Sequence, residues 1–195
     1  MDALRVFIAV DIPPFAREKI AEIQNGFKAL KLDVAWVQPG NIHLTLKFLG
    51  NVDPRRIVEI KGRLKAVAER SPGFRATLGE VGVFPGADRP RVLWVGLDNP
   101  DGRLAALQKS VEEELALAGF PPEPRKFSPH LTFGRIKSPK GKAELRNALD
   151  GHLETPSAPI DVSSVKLYKS QLTPKGSIYT VLEEFALAGA GRNEG

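Results

Sequence analysis

Two rhythms of apolar residues run along this chain, and prolines and glycines mark where one gives way to the other. LRVFIAVD, from Leu4 to Asp11, is dense in β-branched and aromatic residues and halts at Ile12-Pro13-Pro14, which predicts a buried strand. From Pro14 to Leu30 the apolar residues Phe15, Ile20, Ile23, Phe27 and Leu30 recur at helical spacing. A turn at Pro39-Gly40-Asn41 precedes a strand from Ile42 to Leu49, ended by Gly50-Asn51. Asp53-Pro54 then opens a second helix to about Arg70, with Ile57, Ile60, Leu64 and Val67 on one stripe.

Strands are expected at Phe74 to Val83 and Arg91 to Leu97, then a helix from Arg103 to Ala118 closed by Gly119. Pro121, Pro122 and Pro124 stiffen the link to a strand at SPHLTFGRI. A short helix at Lys142 to Leu149 follows, then two strands joined by a turn at Pro174-Lys175-Gly176. Strands and helices alternate in a mixed order, and each half carries helices and one His-Leu-Thr strand. The fold class read from this is α+β: two similar lobes with mixed or antiparallel sheets and outer helices, pseudo-twofold about a central cleft. Residues 1–187 form one bilobal domain in this reading, with a frayed tail from Ala188 to Gly195.

The repetition is chemical as well as architectural. Of three histidines, two are followed by the same pair, at His43-Leu44-Thr45 and His130-Leu131-Thr132, while His152 is not. In a strand, residues i and i+2 share a face. His43, Thr45 and Lys47 are therefore expected on one side, with Leu44, Leu46 and Phe48 on the other. His130 and Thr132 likewise face away from Leu131 and Phe133, with Gly134 leaving space on the polar side. Two lobes meeting about a pseudo-twofold axis would converge two imidazoles and two hydroxyls on one cleft, a constellation suited to phosphate. One neutral imidazole can accept a proton while a protonated one donates, which phosphodiester cleavage requires.

Composition narrows the alternatives. The absence of cysteine excludes disulfides, thiolate metal sites and cysteine nucleophiles, and suits a reducing cytoplasm. Two histidines with no acidic residue in either motif fall short of a three-ligand metal site, so no metal and no cofactor are expected. The opening residues do not read as a signal peptide, and no apolar run approaches membrane-spanning length. A net charge of +5 biases the surface toward anionic partners such as RNA. Two alternatives stay open at this point: a noncatalytic RNA-end binder, and a phosphodiesterase of a small cyclic phosphate.

With these residues in view, the sequence resembles the two-histidine phosphoesterase superfamily, whose signature is a pair of His-x-Thr-x tetrads, here His43 to Leu46 and His130 to Phe133. FIAVDIPP, WVQPGNIHLTLKFLGNV, RVLWVGL, FSPHLTFGRI and LYKSQLTPKGSIYTVLEEFAL look like the RNA 2′,3′-cyclic phosphodiesterases, also called 2′-5′ RNA ligases. The resemblance implies hydrolysis of a 2′,3′-cyclic phosphate at an RNA 3′ end to a 2′-phosphate, with 2′-5′ ligation as the reverse. It implies His43 as the proton donor to the departing 3′ oxygen, His130 as the acceptor that activates water, and Thr45 and Thr132 as phosphate ligands. Arg135 and Lys47 are candidate phosphate contacts, and Phe7, Trp36 and Tyr168 candidate surfaces for a terminal base. RNA ends are the expected partners, DNA is not because it lacks the 2′ oxygen, and a monomer suffices because two lobes complete the cleft.

Overall fold

The computed structural model describes residues 2–150, 158–174 and 176–189; His152 lies outside them. Nine strands form one curled sheet in the order β7-β4-β5-β6-β3-β1-β8-β9, with β2 added beside β6. They are β1 (Leu4–Val10), β2 (Val34–Trp36), β3 (Leu44–Val52), β4 (Phe74–Phe84), β5 (Val92–Asp98), β6 (His130–Ile136), β7 (Pro159–Val162), β8 (Ser164–Thr173) and β9 (Gly176–Ala186). The helices are α1 (Pro14–Ala29), α2 (Ile57–Arg70), α3 (Arg103–Leu117) and α4 (Lys142–Asp150). All pairings between these strands are antiparallel.

The sheet reads outward from its centre as two lobes, β3-β1-β8-β9 and β6-β5-β4-β7, joined where Leu44 pairs with Leu131. The lobes interleave in sequence instead of following one another. The last two strands return to flank β1, and β2, which the turn signals of VAWVQPG concealed, crosses to β6. The helices cross as well. α1 follows β1 but packs under β6, with Phe27 against Phe133 at 5.5 Å, and α3 follows β5 but packs under β3. One continuous core results, in which Ile8, Ile20, Leu64, Leu93, Leu131 and Phe133 are fully buried, each contributing about 1.5–3 kcal/mol.

Three details depart from the sequence reading. Gly50-Asn51 does not end β3: Gly50 takes φ +70° and absorbs a bulge opposite Val6, so the strand continues to Val52. The segment before the final hairpin is a separate strand, β7, broken from β8 at Ser163. Ala188, expected in the tail, is held by backbone bonds to Ala68, Ser71 and Gly73.

Candidate functional site

Each tetrad strand leaves regular alternation at the same place. Ala9 pairs with Thr45 and Ile8 with Lys47, so Leu46 is an extra residue in β3; Trp94 pairs with Thr132 and Leu93 with Gly134, so Phe133 is extra in β6. Two bulges thus follow the two threonines in equivalent register. Beyond a bulge the faces exchange. Lys47 and Gly134 therefore turn to the helix side, and Phe48 and Arg135 turn to the side of the histidines.

The helices that cross beneath hold these bulges. The Gln24 side-chain amide, on α1, donates to the carbonyls of Phe133 at 3.0 Å and Val37 at 2.8 Å. On the other side Gln108, on α3, reaches the Leu46 carbonyl at 3.5 Å and Glu112 at 3.2 Å. Each bulged residue is bonded by a glutamine from the helix that belongs to the opposite lobe.

Since Leu44 faces Leu131 in an antiparallel pair, the register one residue to either side sets His43 across from Thr132 and Thr45 across from His130. The leucines point into the core, so these four side chains share the opposite face, all partly accessible. Both rings are oriented alike: Nδ1 of His43 donates to the Asn41 carbonyl at 2.8 Å and Nδ1 of His130 to the Ser128 carbonyl at 2.7 Å. In the neutral ring this leaves Nε2 as the free lone pair. Aromatic contacts complete the setting. Phe7 stacks on His43 at 4.8 Å, Tyr179 meets its edge at 5.2 Å, and Phe84 meets His130 edge-on at 5.0 Å.

Burial lowers the pKa of both imidazoles, since apolar walls disfavour the charged ring. At His43 the Asn41 carbonyl and Asp11 oppose that shift, while Arg17 and Arg135 add to it; at His130 Ser128 opposes and Arg135 adds. Arg135 is the one cation felt by both rings. Asp11 in turn accepts from Arg17 at 2.7 Å and from Lys166 at 3.0 Å. Among the described residues no group of three His, Asp or Glu side chains converges as a metal ion would require.

This twofold arrangement is mirrored in the sequence comparisons, where the family described as LigT like Phosphoesterase matches the chain twice, over residues 10–94 and 95–179. The chain belongs to this family. A relative from Thermotoga maritima named RNA 2′,3′-cyclic phosphodiesterase is 37% identical over 186 residues, covering 95% of this chain and 97% of that protein. One of the same name from Methanothermobacter thermautotrophicus is 35% identical over 184 residues, covering 94% and 99%. Among solved structures, E. coli LigT complexed with 3′-AMP superposes with a TM-score of 0.76 at 27% identity, covering 95% of this chain and 99% of that one.

Within this LigT-like frame the other expected residues separate. Lys47 does not share the histidines' face: it is 5% exposed, its ammonium ion-paired with Glu112 of α3 and donating to the Pro121 carbonyl at 2.8 Å. Gly134 opens no space beside the histidines either, since a Cβ there would meet Val34 at 2.9 Å and Leu93 at 3.0 Å on the core side. Phe7 and Tyr168 are 2% and 7% exposed and stack on each other at 5.1 Å, so their faces are already covered. Trp36 is half-buried, with the Lys28 ammonium 5.8 Å from its ring. Arg135 is exposed on the histidine side.

Strict alternation hid Phe48, which the bulge brings to the cleft face, 62% exposed and 5.8 Å from Phe7. Nothing in LTLKFLG signals the extra residue. Asn41 reads in the sequence only as a turn residue, yet it belongs to the site. Its carbonyl holds His43, and its amide donates to the Ser177 carbonyl at 2.8 Å, tying the motif to β9.

Proposed function

We propose that this chain is an RNA 2′,3′-cyclic phosphodiesterase that opens a terminal cyclic phosphate to a 2′-phosphate by paired-histidine acid–base catalysis. The observation that carries this reading is the twofold placement of His43, Thr45, His130 and Thr132 on one face about the Leu44–Leu131 pair. The names of its relatives agree with it.

In the proposed reaction His130 Nε2 takes a proton from water as the water oxygen bonds to phosphorus. The bond from phosphorus to the 3′ oxygen breaks, and His43 Nε2 gives its proton to that oxygen. The products are a 2′-phosphate and a free 3′-hydroxyl, and solvent exchange resets the two rings. Thr45 and Thr132 donate to nonbridging oxygens, and Arg135 balances the charge that builds on them. A 5′-hydroxyl in place of water would form a 2′-5′ linkage, the reverse of cleaving one. The terminal base stacks on the open ring of Phe48, since Phe7 and Tyr168 are covered. The chain acts as a monomer in the cytoplasm, free of metal and cofactor; among the described residues no helix is long and apolar enough to cross a membrane.

The test is incubation, with EDTA present, with a short RNA ending in 2′,3′-cyclic phosphate, followed by phosphorus NMR. A 2′-phosphate product is expected; a 3′-phosphate, or unchanged substrate in folded protein, would refute the mechanism.

A further inference from the structure

The twofold symmetry of the site breaks just past the bulges. Arg135 pairs with Val92 as Phe48 pairs with Phe7, so the two occupy equivalent positions, and Lys137 follows two residues after Arg135. One lobe continues as an apolar face and the other as a basic one. Architecture that repeats the histidines and threonines does not demand this difference.

Arg135 begins a cluster. The Ile136 amide donates to the Arg91 carbonyl at 2.9 Å, bringing the start of β5 beside the end of β6, and the Arg91 amide donates to the Phe84 carbonyl at 2.7 Å. Pro90, Ile136, Lys140, Lys142 and Leu145 line one shallow depression, which joins the loop before β5 to the loop before α4. Arg89, Arg91, Arg135, Lys137, Lys140 and Lys142 are thus gathered at one end of the second lobe, all exposed. They outnumber the neighbouring Asp33, Asp88 and Glu144 two to one.

None of these six cations makes an ion pair among the described residues. Elsewhere pairing is common: Arg63 and Arg70 share Glu114, Arg75 meets Asp161, and Lys166 meets Asp11 and Glu184. Unpaired cations gathered at the end of the lobe that carries Arg135 match a polyanion whose end lies between the two imidazoles.

We propose that Arg91, Lys137 and Lys140, continuing outward from Arg135, form a track for the phosphodiester backbone of the RNA nucleotides that precede the cyclic end. This rests on the RNA-end reading of the site and adds that the upstream strand leaves over the second lobe. The track meets phosphates, so it adds affinity with little dependence on base identity.

The test is the triple variant Arg91→Gln, Lys137→Gln, Lys140→Gln in the full chain, read two ways. First, kcat/KM is compared on a single-stranded RNA octamer ending in 2′,3′-cyclic phosphate and on 2′,3′-cyclic AMP. Second, anisotropy of a labelled RNA octamer bearing a 3′-phosphate is followed across salt concentrations. The expected results are an octamer kcat/KM lowered about tenfold or more, an unchanged rate on cyclic AMP, and a salt slope reduced by about 2, since each phosphate neutralised on a single strand contributes about 0.7. Wild-type octamer affinity and slope in the variant would overturn the track, as would an equal loss on both substrates or no octamer binding by the wild type. Binding to phosphatidylserine vesicles that is lost in the variant while octamer binding persists would also overturn it, in favour of a membrane surface. If the wild type hydrolyses neither substrate, the activity reading fails on its own; anisotropy still decides the track, since weaker variant binding supports it.

Discussion

Leu44 stands opposite Leu131 where the two lobes join, each the second residue of its own tetrad. Because the strands run antiparallel, this pair brings both histidine–threonine sets to one face and sets each histidine across from the other lobe's threonine. Proton chemistry in the proposed mechanism needs both rings.

His43→Ala and His130→Ala are each expected to lower kcat by about 100- to 10,000-fold on a cyclic-phosphate RNA, with unchanged far-UV circular dichroism. Retained activity in either variant would refute the paired mechanism.

Both imidazoles have lowered pKa values, chiefly from burial. As pH falls through the base's value that ring becomes protonated and activity drops; as pH rises through the acid's value that ring loses its proton and activity drops again. Both values lie below the ordinary 6.5, so kcat/KM is expected to peak on the acid side of neutrality. A profile rising steadily to pH 8 would contradict this assignment.

Lys47 is structural, held by its ion pair beneath the sheet. Lys47→Ala leaves the largely buried Glu112 without its counter-charge and is expected to cost about 3–5 kcal/mol in chemical denaturation. Replacing both, as Lys47→Met with Glu112→Leu, is expected to recover most of that stability and the activity with it, an outcome a phosphate-binding lysine would not permit.

Gln24→Leu removes the donor to the carbonyls of Phe133 and Val37. The Phe133 carbonyl keeps the Val37 amide at 3.0 Å, so a loss of about 1–3 kcal/mol is expected from the Val37 carbonyl left unpaired, with kcat falling as well because the bulge that follows Thr132 loosens. Denaturation and steady-state kinetics on one preparation check both.

Phe48→Ala is expected to weaken binding of a cyclic-phosphate substrate by about 1–3 kcal/mol, seen as a higher KM. Its ring is 62% exposed, so thermal stability should change little; a large fall in stability with KM unchanged would assign it to packing.

Much of this was legible in the chain. The helices at Pro14–Ala29, Ile57–Arg70 and Arg103–Leu117 follow the 3.6-residue rhythm that apolar burial imposes. The duplicated tetrads indicated the strands, the lobes and the four polar side chains, because alternation holds from His43 to Thr45 and from His130 to Thr132. It fails one residue later. A bulge is a pairing between strands distant in sequence, β1 with β3 and β5 with β6, so no local pattern announces it.

The chain by itself therefore determined the proposed chemistry: that there are two titratable residues of one type, that they fall in two sets, and that each lies on a strand, since these depend on residue type and near-neighbour spacing. Tertiary structure alone decided which side chains accompany them. Long-range register turned Lys47 inward to Glu112 and Phe48 and Arg135 outward, covered Phe7 and Tyr168, and gathered unpaired cations from the loop before β5, from β6 and from the loop before α4 onto one rim. Those outcomes depend on which strands meet and where the extra residue falls, and a pairing energy shared between distant segments leaves no local trace in either segment.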